Sequence, residues 1–195
     1  MSPPCSVQVT GGFALLAAWF FLANGWRNLF TVLSAAAVHE AGHWLLLRLL
    51  GARVLSLRLS ALGAVLETDS GRLSYGGELA AVLAGPAANL LAALALTAPG
   101  RDEFLAAAGA NVVLCIFNLL PVRPLDGGRA LFLLSSWLAG PAAGEAVSRW
   151  AGTLTAAALA LGIGLVIQKT GGSLWLLPAL FASLRWGLSP WFSAL

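Results

Sequence analysis

The chain has 195 residues, 59% hydrophobic and 10% charged, with a formal net charge of +3 and a mean hydropathy of +0.85. Soluble domains carry roughly 25% charged residues, so a soluble enzyme is excluded; the small positive charge, scattered as single arginines, excludes a nucleic-acid partner. What remains is an integral membrane protein, a bundle of spanning helices that each need about 20 mostly apolar residues.

Apolar segments follow one another along the chain. The first runs from about Gly12 to Trp26. No Lys or Arg precedes Arg27, so the positive start of a secretory signal is missing, and the segment is expected to be kept as a membrane helix. The second, Leu29 to Leu50, carries V-H-E-A-G-H-W at positions 38 to 44, which holds both histidines of the chain. In Leu55-Ser56-Leu57-Arg58-Leu59-Ser60, apolar and polar residues alternate, and Gly63 and Asp69-Ser70-Gly71 punctuate the stretch as turns. This predicts a short β-strand pair at the membrane surface between the second and third helices. The third segment spans Glu78 to Thr97 and contains G-P-A-A-N; the fourth begins near Phe104, is broken at P-V-R-P-L-D-G-G, and resumes through R-A-L-F-L-L-S-S-W-L-A-G. The fifth covers about Leu154 to Ile167 and the sixth Leu174 to Leu188, and both are assigned to packing. The expected fold is an all-α polytopic membrane protein of about six transmembrane helices, a single membrane-embedded domain over residues 1–195. Cys5 and Cys115 make no disulfide framework. Arg48, Arg53, Arg58, Arg72, Arg149 and Arg185 gather on one side, against Arg27, Arg101 and Lys169 on the other, which puts both termini in the cytoplasm.

The motif H-E-A-G-H carries the chemistry. On a helix, His39 and His43 lie one turn apart on one face and can grip a single ion. Zinc suits two imidazoles, and Glu40 is placed to act as base toward a water whose pKa the ion lowers to about 7. Ionisable groups inside a membrane cost roughly 2.5 to 3.5 kcal/mol each on the milder scales. Three within five positions need a partner, and a dication supplies one.

A catalytic zinc site has three protein ligands and an open position. With both histidines used, the third is a carboxylate or a cysteine. Glu67, Asp69, Glu78, Asp102, Glu103 and Glu145 fall in predicted loops or segment ends, where a solvated acid is the default. Asp126 lies in the break, where Pro121 and Pro124 prevent continuous helix and Gly127 and Gly128 let the backbone turn. Irregular backbone at membrane depth is tolerated where it is buried or lines a cavity, which puts Asp126 at a cavity edge. The other reading is a turn-capping aspartate paired with Arg123 or Arg129. In the third segment, Asn89 is either an interhelical hydrogen bond or an amide facing substrate. Asn111 and Asn118 share a face of the fourth, and Asn118, beside the break, is the better placed to meet substrate backbone.

HEAGH on the second helix, N-L-L-P-V-R-P-L-D-G-G on a broken fourth and G-G-E-L-A-A-V-L-A-G-P-A-A-N-L-L in the third resemble the site-2 protease family of intramembrane metalloproteases over about residues 28–138. The likeness is closest to its compact bacterial sporulation branch, which processes a membrane-associated pro-sigma factor. The resemblance implies one zinc per chain held by His39, His43 and Asp126, Glu40 as catalytic acid and base, and Asn118 in the positioning of substrate. It implies a membrane-protein substrate such as a pro-sigma or anti-sigma factor and a place in the bacterial cytoplasmic membrane. The chain has no room for a PDZ insertion between its segments and shows no nucleotide-sensing CBS-type region. Two rival readings use the same residues: a metal transporter, which would stack several ligands along a path, and a catalytically silent membrane scaffold.

Overall fold

A computed structural model describes residues 6–60, 63–69 and 73–169. Its elements are β1 (Ser6–Val9), α1 (Gly11–Leu49), β2 (Arg53–Ser60), β3 (Gly63–Asp69), α2 (Tyr75–Thr97), a 3-10 turn at Asp102–Phe104, α3 (Leu105–Asn118), α4 (Asp126–Ala139) and α5 (Pro141–Lys169). The chain divides into two compact units, Met1–Asn118 and Leu119–Leu195.

In the first unit, the two leading apolar segments fall within one element. Within α1, Gly25 takes φ 79° and ψ 169°, a non-helical conformation that a residue without Cβ adopts freely. It separates a first arm from the arm bearing HEAGH. The expected strand pair is present: β2 and β3 pair antiparallel with a register shift between Val54 and Ser56. The sheet has a third strand that the alternation did not reveal. β1 runs parallel to β2, with Ser6 opposite Ser56 and Val9 opposite Leu59. A stretch as short as Ser-Val-Gln-Val shows too little period to be read, and its pairing partner lies far along the chain.

Helix α2 starts where Ser74 caps it, the side chain accepting from Gly77 N at 3.2 Å. Helices α1, α2 and α3 pack around a core of small and polar residues. Ala35, His39, His43 and Leu47 are buried on α1, Ala81, Val82, Gly85, Pro86, Asn89 and Ala93 on α2, and Ala108, Asn111 and Cys115 on α3. The i, i+4 spacing on α1 makes one straight stripe. Small side chains are what permit the approach: a Cβ on Gly42 would stand 2.5 Å from the Ala84 carbonyl oxygen and 2.7 Å from the Ala88 Cβ. Close contact of this kind, rather than a hydrophobic drive, holds helices together in lipid.

In the second unit, residues 119–125 fold into a tight irregular turn before α4. Leu125 N donates to the Val122 carbonyl at 2.8 Å, and Val122 and Leu125 are buried. The fourth apolar segment is therefore broken where the prolines lie. On α5, Gly144, Ser148, Gly152 and Ala156 are buried at four-residue intervals, and a Cβ on Gly144 would overlap the Ser136 hydroxyl of α4. This helix starts at Pro141, well before the expected Leu154, because the stripe that binds it to α4 is made of small residues with little hydropathy. Proline opens it at a position where its missing N–H costs nothing. The sixth expected segment, Leu174 to Leu188, lies outside the described residues.

Large apolar side chains lie on the outside. Leu22 is 82% exposed, Leu138 77% and Leu15 75%, while the most deeply buried polar residues, Asn89 and Ser148, are at 0%. A water-soluble fold places these classes the other way round. Helices α2 and α5 are long and apolar enough to cross a membrane.

Gly42→Ala adds one methyl group against backbone that cannot yield. It is expected to destabilise the first unit by about 1–3 kcal/mol, seen as a lowered Tm of the detergent-purified protein.

Candidate metal centre

His39 and His43 follow each other by one turn on α1, both buried, their rings edge to face with centroids 4.7 Å apart. Each Nδ1 is engaged. His43 Nδ1 lies 2.8 Å from the Ala81 carbonyl oxygen, and His39 Nδ1 lies 2.7 Å from Asn89 Oδ1. A carbonyl oxygen only accepts, so in each neutral ring the hydrogen sits on Nδ1 and Nε2 presents a lone pair. The two Nε2 atoms face each other at 3.1 Å. Two lone pairs this close repel unless a cation lies between them. Nitrogens each about 2.0–2.1 Å from one tetrahedral zinc stand roughly 3.3 Å apart, so the pair fits that ion.

Room for His43 comes from α2. A Cβ on Gly85 would overlap the imidazole Nε2, so the ring occupies the space that a side chain at residue 85 would fill. Pro86 follows and cannot donate to the Val82 carbonyl, which loosens that turn of the helix. One residue before Val82, the Ala81 carbonyl is the acceptor that holds His43. Gly85, with Pro86, was expected from the sequence to allow close approach or a kink, and the Ala81 carbonyl was not singled out. The first was signalled by Gly-Pro inside an apolar run, whereas the second, a backbone atom, has no sequence signal.

Asn89 takes the interhelical place. It is fully buried, and its Nδ2 donates to the Ala35 carbonyl at 2.9 Å and to Asn111 Oδ1 at 2.8 Å. Asn118 closes α3, half-buried, with Nδ2 donating to the Leu114 carbonyl at 3.0 Å. Glu40 is half-buried on α1, the residue after His39.

The second unit holds Asp126 as the first residue of α4, half-buried, where the positive end of a helix favours a carboxylate. Gly127 and Gly128 behind it pack against the Leu119 and Val122 backbone so closely that a Cβ on either would overlap it. The turn is thereby pressed onto the start of the helix that carries the carboxylate. Arg123 stands over the Phe132 ring, 4.2 Å from its centroid, and pairs with Glu145 at 3.8 Å.

Residues 101–162, which contain Asn118, the turn and Asp126, match the model of Peptidase family M50. Among solved structures, the chain aligns with the site-2 protease from Methanocaldococcus jannaschii at a TM-score of 0.64, over 97% of this chain and 94% of that one, with 20% identity. That is a likeness of fold. Stage IV sporulation protein FB of Bacillus subtilis is 30% identical over 131 residues, 63% of this chain and 45% of that protein. A Synechocystis sp. protein described as an inferred zinc metalloprotease is 32% identical over 107 residues, 50% of this chain and 28% of that protein. The chain spans less than half the length of these curated relatives. It has the fold of a site-2 protease. Both likenesses point to the same family that HEAGH and NLLPVRPLDGG resemble in the sequence.

Gly85→Ala is expected to displace the His43 ring and to lower bound zinc per chain well below wild type. Metal analysis of the purified protein reads this, and a wild-type zinc content in the variant would show that the ring does not depend on that space.

Proposed function

We propose that this chain is an intramembrane zinc endopeptidase that hydrolyses peptide bonds in transmembrane or membrane-associated protein segments. The observation that carries the reading is the pair of imidazole Nε2 lone pairs, fixed by their Nδ1 hydrogen bonds and converging at 3.1 Å within a buried stripe. The ligands in this reading are His39, His43 and Asp126, with one ligand atom from each. Two imidazoles and a carboxylate are the donor set of a catalytic zinc site.

Zinc held there would supply Lewis acidity toward a water and the scissile carbonyl. Glu40 is the group that moves the proton, taking it from the attacking water at its carboxylate and handing it to the departing amine. Asn118 has a second Nδ2 hydrogen beyond the one given to Leu114, and it bonds substrate backbone beside the break. A helical substrate hides its carbonyls in hydrogen bonds, so it must unwind before it is cut. With β2 central in the sheet, β3 is an edge that can hold such a stretch by strand addition. Photo-cross-linking from Thr68 of β3 should capture bound substrate, and persistent failure alongside efficient cleavage would remove this step.

The exposed apolar side chains and the two long apolar helices support a membrane-embedded, multi-pass protein; we read it as one membrane-embedded domain over residues 1–195, with both termini in the cytoplasm on the bias of its arginines. Similarity to Stage IV sporulation protein FB supports a bacterial membrane and regulated cleavage of a signalling protein such as a membrane-tethered pro-sigma or anti-sigma factor.

The test is metal content and cleavage of a co-expressed membrane substrate, measured together. About one zinc per chain is expected, lost in His43→Ala and in Asp126→Ala. Glu40→Gln should keep the metal and lose cleavage, a fall of the order of 10²-fold or more for a missing acid–base group. Zinc retained in Asp126→Ala would return the third ligand to the other acids. A wild type that binds no zinc would favour the scaffold reading. Transport of metal across vesicles without cleavage would favour the transporter.

A further inference from the structure

His43 is held by a backbone carbonyl, but His39 is held by a side chain that depends on another side chain, and the direction of that chain of hydrogen bonds can be deduced. It begins at two carbonyls, which only accept. Asn111 Nδ2 donates to the Ala107 carbonyl at 2.9 Å, so Asn111 Oδ1 is the atom turned toward α2. Asn89 Nδ2 gives one hydrogen to that oxygen at 2.8 Å and the other to the Ala35 carbonyl at 2.9 Å. Both amide hydrogens of Asn89 are thereby used, and its Oδ1 faces His39, where it can only accept. At 2.7 Å, the hydrogen between them belongs to His39 Nδ1. A neutral imidazole carries one N–H, so His39 Nε2 is left as a lone pair directed at His43.

Reversing the Asn89 amide would set its oxygen against the Ala35 carbonyl and Asn111 Oδ1, two acceptor–acceptor contacts at a residue with 0% exposure. Buried polar groups tolerate this badly. The polarity therefore runs one way, from α3 through α2 to α1.

We infer that Asn89, seated by Asn111, is the positioning residue that selects which ring nitrogen of His39 is offered to the metal, and that neither asparagine touches substrate; the inference rests on the zinc-site reading proposed above. The asymmetry between the histidines follows. No substitution of a side chain can remove the anchor of His43, whereas the anchor of His39 is lost in a single step. Outer partners of metal-bound histidines typically account for roughly 10–100-fold in metal affinity.

Only two histidines are present, so protein labelled with ¹⁵N-histidine gives a spectrum of two rings, with His43 as the internal control. In metal-free, detergent-purified wild type, both Nδ1 atoms should carry the hydrogen. In Asn89→Leu, Nδ1 of His39 should lose it while His43 is unchanged, and zinc affinity from competition with a chelating dye should fall roughly 10–100-fold. Asn111→Leu should give the same change in weaker form. If Asn89→Leu does not fold, Asn111→Leu decides by the same two readouts. A His39 ring that keeps its Nδ1 hydrogen in both leucine variants overturns the inference. So does an unchanged zinc affinity accompanied by a raised KM, the mark of a substrate contact. A tautomer change in a protein that binds no zinc would overturn the metal-site reading and leave the assignment of the asparagines supported.

Discussion

The His43 ring stands where the β-carbon of residue 85 would be, and the site depends on that approach of α2 to α1. It is close enough for the Ala81 carbonyl to take the Nδ1 hydrogen of one histidine and for Asn89 to take that of the other. The same approach leaves no space for a Cβ at Gly42, and it is lined on both helices by alanine and glycine. Cohesion in this unit comes from contact distance and from polar groups that have no water to turn to. Removing either would separate the two imidazoles before it disturbed the helices themselves.

The second unit meets the same constraint by another route. Residues 119–125 cannot be helical, and their backbone groups must still be satisfied. Gly127 and Gly128 let the first turn of α4 sit directly on that backbone, so the turn and the helix that starts with Asp126 form one solid piece. Arg123 adds its guanidinium over Phe132 and beside Glu145, tying the turn to both α4 and α5. A carboxylate presented from such a piece has little freedom to wander, a property demanded of a ligand.

Much of this was legible because the chain is so apolar that each polar residue stands out. Two histidines and one glutamate within five positions stood out as a candidate centre, since uncompensated polar groups in lipid are expensive, and P-V-R-P-L-D-G-G stood out as a break in its apolar segment. Hydropathy served less well where helices touch. It placed the start of α5 about three and a half turns too late, since Gly144, Ser148 and Gly152 have little hydropathy while forming the contact face. It also missed β1, whose four residues acquire meaning only when placed beside β2. Asn89 and Asn111 were visible as polar residues in apolar runs, but their partnership crosses three helices and depends on where each amide points. That is tertiary information.

The break at Gly25 bears on the bilayer itself. Counted from Trp26, the HEAGH-bearing arm of α1 is about 36 Å long at 1.5 Å per residue, enough for a hydrocarbon layer of about 30 Å. The arm from Gly11 to Asn24 reaches only about 21 Å, and α3 and α4, with 14 residues each, reach the same. If these shorter elements stand in a membrane, they are too short for it. A bilayer meets such elements by thinning around them, at a cost of a fraction of a kcal/mol per Å of mismatch. The lipid next to such a protein would be shorter and less ordered than lipid elsewhere, so acyl-chain length becomes a variable that the fold feels. Reconstitution in lipids of graded thickness would read it as a trend in stability, and a flat response would show that the short elements are covered by protein instead.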